Sequence, residues 1–275
     1  MTESEIKSKV EMAVADARAK KPLAPSVTNT VTVNLVANAQ LAVGGSAAMV
    51  YLPDECECIA KIGGAVYLNT GTLLPVYEES VPRLARALKE NAKPWVLDPV
   101  GLGIGGLRTK LLSALKDFPP TIVRANASEV IALAKLWGVI ESDSSGPKGV
   151  DSVDSVSDAE NAAKSLATFI HGAVAVSGEV DFVTDGKISV RSEGGSHFFE
   201  KITGAGCSLG GVCAVYAAVT DPLTAALTAT QIYNHAGKKA EQNCHGPASF
   251  QVNFLDELYR ASPSDVAKNN FKIVN

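Results

Sequence analysis

Ala65-Val66-Tyr67-Leu68-Asn69, with Thr70-Gly71-Thr72 directly behind it, sets the reading of the fold. A strand this apolar is covered on both faces, and its polar groups come only at its end. The pattern recurs downstream. A helix-patterned stretch from Glu78 to Ala92 precedes Pro94-Trp95-Val96-Leu97-Asp98, and one from Leu107 to Phe118 precedes Thr121-Ile122-Val123-Arg124-Ala125-Asn126. Ser128 to Trp137 is again helical. Upstream, Asp54 to Ile62 reads as a helix and Ala48-Met49-Val50-Tyr51 as a short strand. Such strands alternating with helices predict an α/β fold, with a mostly parallel central sheet covered by helices on both faces. Ligands of these sheets bind beyond the carboxyl ends of the strands. Asn69, Thr70, Asp98, Arg124 and Asn126 all fall at those ends.

Outward from this centre, residues 3–20 place Ile6, Val10, Ala13, Val14 and Ala17 on one helical face, and Pro22 and Pro25 end the helix. Thr30 to Val43 predicts a second helix, apolar enough that the fold or a neighbouring subunit must cover it. The Ser- and Asp-rich stretch 138–156 is the expected mobile loop. Ser157 to Phe169 reads as a helix and Ala173 to Gly178 as a strand. Asp181–Thr184 and Lys187–Arg191 flank Asp185-Gly186, a strong hairpin pair, and Ser196–Ile202 is expected as a further strand. The sheet would thus gain an antiparallel edge. Helices follow at about 207–219, 222–243 and 249–261. With no linker in sight, residues 1–275 read as one domain.

The glycine turn lies between edge and helices: Lys201-Ile202-Thr203-Gly204-Ala205-Gly206-Cys207-Ser208-Leu209-Gly210-Gly211. Gly204 and Gly206 let backbone N–H groups turn inward at a helix start, which attracts anions. Cys207 falls in the first turn, where a thiol is pushed toward thiolate. A plain turn followed by a buried cysteine fits the same residues. Asp98 and Glu129 are carboxylates near adjacent strand ends; together they could hold Mg²⁺, or each could be a solvated acid. Arg124 needs an anionic partner if buried, which a phosphate or a bridge to Glu129 would supply.

Gly101-Leu102-Gly103-Ile104-Gly105-Gly106 has the form of a dinucleotide fingerprint. Asp98-Pro99 intrudes before it, and the next strand ends in Arg124 and Asn126 rather than an acid for a ribose, which argues against a dehydrogenase. No Walker-type loop occurs. The histidines show no triad or metal spacing.

Of 275 residues, 46% are apolar and 20% charged, which excludes disorder. The net charge of −4 and the lack of a basic run argue against a nucleic-acid partner. The five cysteines, an odd number without a signal-peptide pattern, predict reduced thiols in a cytoplasmic protein. No apolar run is long enough to predict a membrane span.

Several blocks, in order, resemble the hydroxyethylthiazole kinase family. They include Pro22-Leu23, Val27-Thr28-Asn29, Ala47-Ala48-Met49, Asn69-Thr70-Gly71-Thr72-Leu73 and Leu97-Asp98-Pro99-Val100-Gly101. Arg124-Ala125-Asn126-Ala127-Ser128-Glu129, Thr203-Gly204-Ala205-Gly206-Cys207 and Gly246-Pro247-Ala248-Ser249-Phe250 complete the set. The resemblance implies a ribokinase-like fold, a homotrimer with active sites at subunit interfaces, and transfer of the ATP γ-phosphate to 4-methyl-5-(2-hydroxyethyl)thiazole on the way to thiamine. It implies that Met49 and Gly204 contact the thiazole, Arg124 and Ser177 contact ATP, and Asp98 and Glu129 lie at Mg²⁺ and the phosphates. It further implies that the turn at 204–206 is an anion hole and that Cys207 stands where most ribokinase-like enzymes carry an aspartate base. There are three departures from the family pattern: Pro25-Ser26 replaces a usual His-Asn, Ala125 a usual glycine, and Ser177 a usual threonine. A related kinase for pyridoxal or a hydroxymethylpyrimidine, and a catalytically weak thiazole or nucleotide sensor, are the alternatives.

Overall fold

In the computed structural model, residues 1–141 and 156–274 are described. Helix α1 (Glu3–Lys20) starts with a reciprocal cap between Thr2 and Glu5 and stops at Lys21, whose φ is 46°. The strands are β1 (Leu23–Val27), β2 (Ser46–Met49), β3 (Val66–Asn69), β4 (Trp95–Asp98), β5 (Ile122–Asn126) and β6 (Ala173–Ser177). They run parallel in the order β2-β1-β3-β4-β5-β6. Strands β7 (Val180–Thr184), β8 (Ser189–Glu193) and β9 (Phe271–Val274) extend this sheet antiparallel. Asp185 closes the β7–β8 turn by accepting from the backbone N–H groups of Lys187 and Ile188.

The pleat divides the sheet's residues between two cores. Val66, Leu68, Leu97 and Val123 pack under α3 (Pro53–Ile62), α4 (Tyr77–Glu90), α5 (Gly106–Ala114), α6 (Ala127–Leu136) and α7 (Val156–Ile170). Tyr67, Val96, Ile122 and Ala175 face the other way. There they meet α1, α2 (Val33–Ala42), α8 (Ala205–Ala217), α9 (Pro222–Glu241), α10 (Pro247–Arg260) and α11 (Pro263–Ala267). By the same period of two, Asn69 follows Tyr67, Asp98 follows Val96 and Arg124 follows Ile122 onto the α8 side. The polar strand ends therefore converge on one helix.

The structure differs from the sequence reading in several places. Residues 23–27, at the place read only as a proline stop, form an interior strand. Pairing of β1 with β3 begins at Ser26–Tyr67, so the N–H that Pro25 lacks falls before that ladder starts. Residues 196–202 are not a strand: His197–Lys201 form a 3₁₀ turn. Phe198 stacks on Phe250 and Phe199 packs edge-on against Phe250 and Phe254, so both rings serve one cluster instead of alternating across a sheet. The sheet edge beside β8 belongs to β9, which, with α11, the sequence reading missed. Helix α2 begins at Val33, after a turn at Thr30–Thr32. The loop expected at 138–156 falls largely outside the described residues. No helix is long and apolar enough to cross a membrane among the described residues.

Candidate active site

Asp98 ends β4 beside Asn69, in register and fully buried. Its Oδ2 accepts from the Tyr67 hydroxyl at 3.0 Å and from Arg124 Nη1 at 3.3 Å. Arg124, on β5 and also buried, donates from Nη2 to Ser177 Oγ at 2.8 Å, at the end of β6. The partner of Arg124 is therefore Asp98, not Glu129. Burial pushes the Asp98 carboxyl up to about 6, Glu129 adds to that, and Arg124 and Tyr67 act against it. Burial opposes the charge on Arg124, but Asp98, Tyr67, Glu129 and Cys207 together outweigh it and keep the guanidinium protonated. Two atoms of this buried pair, Asp98 Oδ1 and Arg124 Nε, have no hydrogen-bond partner.

The start of α8 closes on this pair. Gly204, at φ 92°, is the residue before the helix, and no side chain caps the first turn. A Cβ on Gly206 would stand 2.5 Å from Arg124 Nη1 and 2.6 Å from Nη2, so only glycine lets the guanidinium lie against the helix start. With its head held by Asp98 and Ser177, Arg124 cannot yield freely. Gly206→Ala is accordingly expected to displace it and lower kcat/KM by about 10²-fold, measured by steady-state kinetics.

Cys207 is the third residue of α8 and takes a hydrogen bond from Asn29 Nδ2 at 3.6 Å. Asn29 also donates to Asn69 Oδ1 at 3.0 Å, and Asn69 donates to the Tyr67 hydroxyl at 2.9 Å. A continuous polar chain thus joins Cys207 to Asp98. The thiol is not pushed toward thiolate as its place at a helix start suggested. Burial raises it, the nearby Asp98 charge raises it further, and Thr32, Arg124 and Asn69 offset this only in part.

Glu129 completes a reciprocal cap at the start of α6. Its Oε2 accepts from the Asn126 N–H at 3.1 Å, and Oε1 accepts from the Gly101 N–H at 3.3 Å. The glycine run at 101–106 is thereby tied to the site as a loop held by Glu129.

A cleft of about 690 Å³ opens beside these groups. Arg124, Ser177 and Gly206 line it, along with Gly178, Asp181, Gly194, Gly195 and Asn234. Asp98, Glu129, Cys207 and Met49 do not line it. Met49 lies at the end of β2, opposite Ser26 in register and packed against the α8-side core. The hydroxyl of Ser26, at one of the departures from the family pattern, is bonded to Gln40. Tyr67, Asp181 and Asn234 were missed by the sequence reading. A tyrosine inside an apolar strand looks like core, and neither Asp181 nor Asn234 belongs to a motif.

The model of the hydroxyethylthiazole kinase family matches residues 14–263. The chain belongs to the hydroxyethylthiazole kinase family. It is 51% identical over 290 aligned residues to the hydroxyethylthiazole kinase of Bifidobacterium longum (strain DJO10A), covering 98% of this chain and 92% of that protein. The structure of the hydroxyethylthiazole kinase protein from Pyrococcus horikoshii OT3 superposes with a TM-score of 0.86 at 29% identity, covering 97% of this chain and 99% of that one. A ribokinase-like superfamily protein from Enterococcus faecalis V583 shares the fold, with a TM-score of 0.64 at 10% identity over 94% of this chain and 95% of that one. The expected ribokinase-like architecture, a mostly parallel sheet with an antiparallel edge, is thus the observed one. In this member of the hydroxyethylthiazole kinase family, Arg124, held from behind by Asp98, and the uncapped start of α8 meet at one wall of the cleft.

Proposed function

We propose that this chain transfers the γ-phosphoryl group of ATP to the hydroxyl of 4-methyl-5-(2-hydroxyethyl)thiazole, a step that serves thiamine formation in the cytoplasm. We read residues 1–275 as a single catalytic domain. The observation that carries the reading is the contact of Arg124 with Gly206 at the start of α8, in a chain of this family. It sets a buried cation against free backbone donors, the pairing a phosphoryl group in flight requires.

The alcohol oxygen attacks the γ-phosphorus, the bond to the β-γ bridging oxygen breaks, and ADP leaves. Arg124 and Ser177 hold the nucleotide phosphates, and the N–H groups at 204–206 receive the transferring group as an anion hole. Cys207 accepts the hydroxyl proton, late in a loose transition state. Met49 and Gly204 contact the thiazole. Asp98 and Glu129 fit Mg²⁺, because a carboxylate oxygen buried without a partner, Asp98 Oδ1, suits a hard cation. Two carboxylates also leave its remaining positions to phosphate and water. When bound, the ion would neutralise phosphate charge.

The test is ADP release from Mg-ATP with the hydroxyethylthiazole, set against pyridoxal, a hydroxymethylpyrimidine and no acceptor. Release that depends on both thiazole and magnesium is the expected result; release only with another acceptor overturns the substrate.

We also propose a homotrimer with active sites at its interfaces. Support comes from Met49, which lies off the nucleotide cleft, and from apolar side chains left in solvent around α2. Val31 is 60% and Leu41 53% exposed. Leu41→Glu is expected to shift the protein from trimer to monomer in sedimentation. A wild-type monomer would overturn the assembly.

A further inference from the structure

The cleft has two walls that no residue discussed so far connects. One is the turn after β6, Ser177–Gly178, which receives Arg124. The other is Gly194–Gly195, between β8 and the 3₁₀ turn. Asp181 and Asn234 join them. Asp181, on β7, accepts from the Gly178 N–H through Oδ1 at 3.1 Å and from Asn234 Nδ2 through Oδ2 at 2.9 Å. Asn234, buried on α9, donates from the same Nδ2 to Ser192 Oγ at 2.9 Å, and its backbone carbonyl accepts from the Gly195 N–H at 3.0 Å. Contact is as close as backbone allows, since a Cβ on Gly194 would stand 2.9 Å from the Asn234 Cβ.

We propose that Asp181 and Asn234 are a positioning pair that sets the spacing of the two glycine walls for the nucleotide. This rests on the reading of the cleft as the ATP site. The pair touches no reacting atom. It acts through Ser177, whose hydroxyl accepts from Arg124, and through Gly195, so its influence falls on ATP and not on the acceptor. Side-chain chemistry at the pair is directional. The carboxylate at 181 only accepts, and the amide at 234 reaches it as a donor. A charged acceptor and its amide donor make a stronger bond than a neutral pair, and a half-satisfied buried network is worse than none.

Directionality supplies the test. Asp181→Asn keeps the shape and can be accommodated: the Asn234 amide, whose Oδ1 makes no other bond among the described residues, can turn over to accept from the new amide and from the Ser192 hydroxyl. Asn234→Asp sets carboxylate against carboxylate. Exchanging both at once restores complementarity: the amide introduced at 181 accepts from Gly178 and donates to the carboxylate introduced at 234, which can accept from the Ser192 hydroxyl. ATP binding by calorimetry and steady-state kinetics are measured on the full chain. Asn234→Asp is expected to weaken ATP binding about tenfold or more, with kcat at saturating ATP and KM for the thiazole within about twofold of wild type, while Asp181→Asn stays close to wild type. The double exchange is expected to recover most of the loss. Asn234→Ala, which opposes no like groups, is the second variant should a single exchange not fold, and it is expected to move ATP affinity the same way.

An Asn234→Asp protein that binds ATP like wild type, or a double exchange that recovers nothing, overturns the pair. A fall in thiazole affinity equal to that for ATP also overturns it, because general loosening would do that. Wild-type protein that binds no ATP overturns the nucleotide reading first, and the pair with it, so the two failures are told apart by the unaltered chain.

Discussion

Replacing Cys207 by alanine is expected to lower kcat by about 10²-fold, the lower end of what a positioned acid–base group supplies, and to leave ATP affinity unchanged. Binding survives because Arg124, Ser177 and the backbone donors of α8 remain in place. The loss is modest because the transition state is loose, and little of the proton has moved when the phosphoryl group does. The pH profile gives the sharper result. Burial and Asp98 hold the thiol above its ordinary value, so at neutral pH most molecules carry the protonated form. The thiolate fraction grows about tenfold per pH unit below the pKa, so wild-type kcat should climb from pH 6.5 to 8.5 while that of Cys207→Ala stays flat. Cys207→Asp, whose carboxyl ionises at lower pH than a thiol in the same surroundings, should move the rise to lower pH and keep substantial activity. An unchanged kcat in the alanine variant would sink the role of proton acceptor.

Loss of Arg124 should be the most damaging single change. Arg124→Ala leaves the Asp98 carboxylate buried without its cation, and breaking a buried pair from one side costs about 3–5 kcal/mol. The sign of its pH dependence follows from Asp98. Its folded value is about 6, above an unfolded value of about 3.9, so the folded state binds more protons in that interval and stability falls as pH rises through it. Without Arg124 the folded value rises further, and the fall continues to higher pH. The stability deficit of Arg124→Ala should therefore be smaller at pH 5 than at pH 8 in urea unfolding. Equal deficits would mean that Asp98 does not titrate with the pair. Arg124→Lys should retain part of the stability yet bind ATP poorly, since an ammonium cannot serve Asp98 and Ser177 as a planar fork does.

The layered sheet was legible from residues 65–137, because a strand buried on both faces must be apolar throughout and its turns must punctuate it. Strand β1 was hidden by Pro22 and Pro25, whose local rule reads as a stop, while the register that tolerates Pro25 depends on the neighbouring strands. The turn at 197–201 was misread for a related reason: the same aromatic residues suit a strand or a cluster, and the partners Phe250 and Phe254 lie some fifty residues away in the chain.

The site divides along the same line. The sequence by itself determined which groups stand toward the strand ends, since Asn69, Asp98 and Arg124 follow apolar residues along strands whose period points them one way, while Ser177 was singled out only by the family resemblance. It also determined that a glycine turn would open a helix at 204–206. Only the tertiary structure decided that Arg124 pairs with Asp98 instead of Glu129, that Tyr67 and Asn69 carry a polar chain to Cys207, and that this thiol is raised. Only the tertiary structure joined Asp181 to Asn234. A residue's own neighbours in the chain set its conformation, but hydrogen-bond partners and protonation are set by what burial brings alongside, and that is known only once the sheet has closed under α8.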